Sequence, residues 1–561
     1  MSRHSVLCAA LVGAPLLAQG PYSLTVLHVN QPGHPMNVVP GLGLPFKPGG
    51  TGTSAFERPT FSADGVHFAI NVVADAAATV DDVLLLDGAV VLREGSPTPW
   101  PGGFNVGTID AEIAVNSSGS LLIGQITSAP AASNDLIAFY QGGLWTVLAQ
   151  ETGLVNTWVP GLVGDAGGTA TWDDTMDCVG LTDSNLLLWR ATGIDGLATT
   201  PTTLNDAVIV IGNTAIQKGV TVPAGQAGGG TLAWELFDPT GVDVSADGSL
   251  ILVQGDLTGT TNDDILTLNG AVVVQEGTVL PGFATGVTVV NEAWIDHANN
   301  WYARGSNLTT GFDWYMRNGV IFARMDDSET IMPGTTERWD DASFGECFFA
   351  VDGNSLGQVV FGGVTNNPST SNGVILFDDG VGNRYVVVRE GDPVDLNGNG
   401  IDDDDRYYNT FGDDDLRLFD DGTIVFTATL KNSAGTAVDQ GLFKLVPRTA
   451  SCMFRNGTGI NPVACTCTNL PIVGNIWNVD VSFGPQTLVT GLLADFQAIP
   501  PFPIFGGELL IAPAPFLIPT ALNLPFGWQG LQFSVQGLRL DVVGPDLVIV
   551  LTNAQDVFVG H

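Results

Sequence analysis

Basic residues are scarce in this chain. Its 561 residues include 19 Lys and Arg against 58 Asp and Glu, a formal net charge of −39. Such a surface repels phosphate backbones and anionic bilayers, so nucleic acid and acidic membranes are poor partners. Charged residues of both signs make up only 14% of the chain and apolar ones 45%, which argues against disorder and allows a large core. Glu is also scarce, with 12 against 46 Asp. The short Asp side chain caps turns, so much of the charge reads as turn chemistry plus solubility.

Histidine is nearly absent. Beyond the first residues there are only His28, His34, His67, His297 and His561, and no H-E-x-x-H. That leaves a His-based triad or a zinc hydrolase poorly supported. Gly353-Asn354-Ser355-Leu356-Gly357 matches G-x-S-x-G, but it falls in a β-turn with no helix pattern after it, so the motif lacks its strand-to-helix elbow.

Long apolar runs are missing too. Val6 to Leu17 is too short to span a bilayer and contains Pro15. With Ser2-Arg3-His4 before it and Leu16-Leu17-Ala18 after it, it reads as a secretory signal peptide over residues 1–18. Pro500 to Pro525 is apolar, but its seven prolines exclude a spanning helix. No transmembrane segment is expected, and the protein is expected to be secreted or at a bacterial cell surface.

Cysteines are few. Removal of Cys8 with the leader leaves Cys178, Cys347, Cys452, Cys465 and Cys467, an odd number. Cys452 paired with either Cys465 or Cys467 would close a short loop in an oxidising compartment. The other reading is free buried thiols throughout. Cys-x-Cys without a second pair is weak evidence for zinc.

Turn residues are abundant. Seventy-one glycines and 32 prolines spread along the chain point to an all-β fold. One hairpin recurs: SADGVHFA from Ser62, NSSGSLLI from Asn116, TDSNLLLW from Thr182, SADGSLIL from Ser245, DHANNWYA from Asp296, NSLGQVVF from Asn354 and FDDGTIVF from Phe419. The copies start 51 to 66 residues apart, a spacing typical of a solenoid or propeller. A second hairpin follows each, turning at dipeptides such as Asp87-Gly88, Asn269-Gly270 and Asn318-Gly319. Its flanks, such as Val83-Leu84-Leu85-Leu86, are apolar on both faces and call for burial on both. Most units then close on Glu94, Glu151, Glu276 or Glu390.

Four strands in each of seven units imply a seven-bladed β-propeller over residues 51–447, with six or eight blades as alternatives. Residues 19–50 lead in, and Leu24 to Val29 is expected to be a strand that joins the last blade. Residues 452–561, poor in charge, read as a separate small β-sandwich.

Asn354, Gly357, Val360, Phe361 and Arg389-Glu390-Gly391-Asp392-Pro393 resemble the bacterial secreted tandem-repeat family named for its NxxGxxAF motif. The resemblance covers roughly residues 51–447, and Asn116 and Gly119 match it in part. Members are usually surface-attached and have no established activity, so it implies fold and location only. Arg58 to Gly65 is similar to a TolB-type propeller strand and turn. Phe454 to Pro462 and Thr552 to Asp556 resemble a C-terminal module common in secreted planctomycete proteins.

One stretch carries chemistry. Asp395-Leu-Asn-Gly-Asn-Gly-Ile-Asp-Asp-Asp-Asp405 has the spacing of an EF-hand-like calcium loop, and it also resembles dockerin and thrombospondin type 3 loops. Asp395, Asn397, Asn399, the Ile401 carbonyl and Asp403 would be ligands, with Asp405 or Asp413 to Asp415 standing in for the bidentate acid that Arg406 replaces. An acidic solvated loop is the plain alternative. The repeated glutamates read as structural, because catalysis needs asymmetry. Residues that break the repeat are the better ligand-binding candidates: His297, Arg304, Trp314, Arg338, Trp339 and Asp340. Aromatics and acids together suit a sugar, although packing explains them equally well.

The sequence therefore reads as a secreted binding or scaffold propeller with structural calcium and an extracellular glycan or surface protein as partner. The alternatives are an extracellular polysaccharide hydrolase or lyase working at the propeller's central face, and a purely structural envelope component.

Overall fold

The structure is a computed structural model. It describes residues 22–560 except 49–54, 101, 110–111, 131–132, 160–161, 166, 174, 198–203, 211–214, 260, 308–312, 326–328, 333, 341–346, 400–402, 414, 474, 513–514, 525–527 and 529. The expected signal peptide, residues 1–18, and Ile401 lie outside the described residues. The described chain is all-β apart from 3-10 turns such as Val155–Thr157. Among the described residues, no helix is long and apolar enough to cross a membrane.

The chain divides into two compact units, Thr25–Lys444, and Leu445–His561 with Met1–Leu24. In the first, the described residues form seven antiparallel sheets in chain order. The first sheet runs Phe56–Phe61, Phe68–Val73, Asp82–Leu86, Ala89–Arg93, and the second Ile113–Val115, Leu121–Ile126, Asp135–Gln141, Leu144–Gln150. The third is Met176–Leu181, Leu187–Ala191, Ala207–Val210, Ile216–Gln217, and the fourth Trp234–Val244, Ile251–Leu257, Asp264–Leu268, Ala271–Gln275. The fifth is Val289–Ile295, Trp301–Ser306, Asp313–Arg317, Val320–Arg324, and the sixth Phe348–Gly353, Val359–Val364, Gly373–Asp378, Arg384–Arg389. In the seventh, Tyr407–Phe411 and Arg417–Leu418 both pair with Ile424–Lys431, followed by Ala437–Pro447. Tyr22–Val29 pairs with Ala437–Pro447 as that sheet's outer strand.

The second hairpins turn where the sequence places Asx-Gly. Asp87 and Gly88 have φ of 52° and 75°, and Asn269 and Gly270 have 51° and 78°. Two successive positive φ values match the right-handed twist of the flanking strands. The apolar strands fill gaps between consecutive sheets. Leu84 and Leu136 share one core with Ile113 and Leu121, and Tyr315 shares another with Phe348 and Phe361. Phe56, Ile70 and Leu85 of the first sheet pack with Val425 and Leu442 of the seventh. Each such buried side chain contributes about 1.5–3 kcal/mol relative to exposure, so most of the unit's stability lies between sheets.

First-hairpin turns join neighbouring sheets. The Asn354 Oδ1 accepts from the amides of Leu356 and Gln358, both at 3.1 Å, and its Nδ2 donates to the carbonyl of Phe419 at 3.2 Å. Asn116 does the same with Ser118, Ser120 and the carbonyl of Thr182. Ser62 and Ser245 reach an equivalent turn by another route. Their hydroxyls donate to Asp64 and Asp247 at 2.6 and 2.8 Å and accept from the amides of His67 and Leu250.

In the other unit, a five-stranded sheet containing Thr487–Asp495, Gln532–Val543 and Asp546–Phe558 shares a core with the three-stranded sheet Cys465–Cys467, Ile476–Val481, Ala521–Asn523. Trp477 meets Phe533 edge-on at 5.5 Å in that core. Cys452 is bridged to Cys467, and Cys465 is a buried free thiol, as are Cys178 and Cys347.

Candidate functional site

The first strands of the first six sheets, with Arg417 of the seventh, line one cavity of about 300 Å³. Most of the seven sheets carry a bulge in the first strand, seen as a register shift between Glu57 and Thr60, Asp177 and Gly180, Phe237 and Val242, Val290 and Glu292, Phe348 and Ala350, and Tyr408 and Thr410. A bulge bends its strand and re-aims a side chain, so these positions differ between sheets while the scaffold repeats.

The charged groups around this cavity are engaged. Asp243 accepts from the amides of Val244 and Ile295, both at 2.7 Å, and desolvation raises its carboxyl to about 6. Asp352 accepts from the Leu418 amide at 2.7 Å and faces Arg417 at 3.5 Å, with burial raising its pKa. Glu292 pairs with Arg304 at 2.7 Å, and Asp296 accepts from the Tyr302 hydroxyl at 2.9 Å. These carboxylates join one sheet to the next or brace a turn within one sheet.

A second recurring acid sits at the start of the third strand. The amides of Glu94, Glu151, Lys218, Glu276, Met325 and Glu390 donate to the carbonyls of Asp82, Asp135, Asp206, Asp264, Asp313 and Gly373, which makes those six positions equivalent. Among the described residues, three of these carboxylates reach forward toward the following sheet. Asp82 accepts from Ile109 N at 3.3 Å, Asp264 from Val290 N at 2.7 Å and Asp313 from Cys347 N at 2.8 Å. Asp81, Asp82 and Glu94 stand close enough together to hold a cation, but Lys47 neutralises Asp81 at 3.0 Å.

The Asp395 loop is tied by its own side chains. Asp395 Oδ1 accepts from the amides of Gly398 and Asn399 at 2.9 and 3.2 Å, and the side-chain amides of Asn397 and Asn399 both donate to Asp403. Asp404 accepts from the amides of Leu396 and Asn397 at 2.8 and 3.1 Å, a role its place in the acidic run does not reveal. Asp405 turns away, with φ of 50°, and the Ser433 hydroxyl and amide, the amide at 2.9 Å, lower its pKa by hydrogen bonding. Arg406, which stands where a bidentate acid was expected, pairs with Asp439.

A family described as of unknown function, DUF7453, matches residues 216–464. No curated protein matches the chain. Among solved structures, prolyl oligopeptidase B from Galerina marginata is 10% identical with a TM-score of 0.30, and the match covers 68% of this chain. The chain spans about half the length of that enzyme, 47%. The subtype N11 neuraminidase-like protein of A/flat-faced bat/Peru/033/2010 is 9% identical with a TM-score of 0.26, covering 77% of this chain and 97% of its own.

The six residues singled out as breaking the repeat do not form one site. Trp314 is fully buried and donates its indole N–H to Asn307 Oδ1 at 2.8 Å, and Trp339 packs on Phe348 and Phe361. Both rings are core and offer no face to a sugar, which corrects the expectation for them. Both stand where an apolar repeat residue would, and a large aromatic in a strand does not declare which side it faces. His297 lines the cavity and meets Asp420 at 3.2 Å. The Asp340 amide donates to the carbonyl of Val364, beside residues that are not described. The Arg338 amide donates to Asn366 Oδ1 at 3.1 Å, and of the six Arg304 alone lines a second cavity, between the sixth and seventh sheets.

Proposed function

We propose that the seven sheets close into a seven-bladed β-propeller, and that this secreted or cell-surface protein acts as a binding or scaffold module rather than as an enzyme. The packing of the first sheet on the seventh and the cavity to which all seven sheets contribute support closure. One observation carries the function: the cavity's carboxylates are committed to backbone amides, to a tyrosine hydroxyl or to arginines. A hydrolase needs an acid and a base that face the substrate, and these face the protein. The C-terminal unit, with its two sheets over one core, is a β-sandwich suited to attachment. The full chain should bind members of a panel of extracellular glycans or surface proteins without converting them. Steady release of product from any polysaccharide in the same panel would overturn this reading in favour of a hydrolase or lyase.

The loop from Asp395 to Asp403 supports structural calcium. The convergence of Asp395, Asn397, Asn399 and Asp403 carries the reading, and Asp405 belongs to the Ser433 turn instead. The set offers oxygen ligands of low charge, suited to extracellular calcium concentrations. Millimolar calcium should raise the melting temperature, worth about 1–3 kcal/mol at saturation, and excess EGTA should reverse the rise. Identical melting curves in calcium and EGTA would remove the ion from the account.

A further inference from the structure

We propose that the cavity between the sixth and seventh sheets is a pocket for one unit of a neutral saccharide. This rests on the binding reading above and gives it a place and a ligand class. The pocket measures about 460 Å³, within the range of small-ligand sites.

Its origin is a missing side chain. At the position where five sheets carry Asp, the sixth carries Gly373. A Cβ there would meet the Phe411 ring and the Glu390 Cβ at 3.6 Å, ordinary contact distances. The carboxylate that the other sheets carry is absent from this wall of the cavity, and nothing in the backbone requires glycine.

The residue beside it points to a ligand. Asn372 is 4% exposed and lines the pocket, and its side-chain amide has no hydrogen-bond partner among the described residues. Vicinal hydroxyls of a sugar would pair with that amide, which both donates and accepts. Phe349 sits on the bulge of the sixth sheet's first strand, and Phe411 on the seventh's first strand. Their half-buried rings lie 6.0 Å apart at 19° and supply an apolar surface for the C–H face of a pyranose.

Charge narrows the class. Glu390 is neutralised by Lys431 at 2.8 Å, and Arg304 by Glu292 at 2.7 Å and by the exposed Asp413 at 3.4 Å, so the pocket presents no unbalanced charge. With a net charge of −39, the chain disfavours uronates and sulfated sugars.

The test uses the full mature chain on an array of neutral gluco-, manno-, galacto- and xylo-oligosaccharides, with positives titrated calorimetrically. Gly373→Asp restores the side chain of the other sheets, and Asn372→Ala removes the amide without breaking a protein hydrogen bond. The wild type should bind at least one oligosaccharide. Both variants should bind it at least tenfold more weakly with unchanged melting temperatures. If Gly373→Asp fails to fold, the Asn372→Ala titration decides. Equal binding by the wild type and the folded variants would overturn the pocket while leaving a binding module elsewhere on the chain. A wild type that binds nothing on the array would overturn the saccharide, whereas turnover of an array member would instead overturn the non-enzymatic reading.

Discussion

The fifth and sixth sheets are built to the same plan and treat their forward neighbours differently. In the fifth, Asp313 crosses to the Cys347 amide and also accepts from the Ser306 hydroxyl at 3.1 Å. In the sixth, Gly373 sends nothing across, and a cavity lined by Phe349, Asn372 and Phe411 takes the place of the contact. A hydrogen bond from a buried amide to a carboxylate is among the stronger ones in proteins, so its loss at one junction is not neutral by default. In a repeated scaffold, a deleted side chain can mark a site as well as an added one. The added residues Trp314 and Trp339 went into the core.

The most forceful way to test that contrast is to make the fifth sheet resemble the sixth. Asp313→Ala strands the Cys347 amide in a buried junction and should cost about 2 kcal/mol. Asn372→Ala, one junction along, removes no bond and should leave stability within about 0.5 kcal/mol. Urea denaturation followed by tryptophan fluorescence measures both. Similar midpoints for the two variants would show that the aspartates are decoration and that the glycine marks nothing.

Much of the architecture was legible because hairpin chemistry is local. Asn-Gly and Asp-Gly announce their turns, and the period of the first hairpin gives the number of sheets. The turn copies that look degenerate in letters are alike in chemistry, since Ser62 with Asp64 does with two side chains what Asn354 does with one. The clamp was hidden for a different reason. Asp82, Asp264 and Asp313 sit among 46 aspartates, and nothing in a one-dimensional pattern separates an acid that crosses between sheets from one that caps its own turn. The same holds for the disulfide. Cys465 and Cys467 are both in reach by spacing and, two apart in one strand, share a face, so only the tertiary placement of Cys452 beside Cys467 decides between them. Asn461, inside the Phe454–Pro462 stretch, shows what such a motif does: its side-chain amide donates to the carbonyls of Glu508 and Thr552 at 2.7 and 3.0 Å.

A finer test changes the charge of a clamp and keeps its shape. Asp264 gives its carboxylate to the Val290 amide, and desolvation raises its pKa from 3.8 to about 7, with Asp256, Asp238 and Glu276 adding to the rise. In the unfolded chain the same group ionises near its ordinary value. Between those two limits the folded protein holds a proton that the unfolded chain has released, so rising pH favours unfolding. The stabilisation is complete below the unfolded pKa and is lost as pH climbs through about 7. Asp264→Asn retains an oxygen for Val290 and has no proton to lose. It should match the wild type near pH 4 and exceed it at mildly alkaline pH by about 1–2 kcal/mol, allowing for partial solvent screening of the site. Urea titrations at the two pH values isolate this group from the general repulsion of an acidic chain, which both proteins share. Parallel losses in the two would place the whole pH dependence in that repulsion, and the fourth sheet's clamp would then be an ordinary neutral contact.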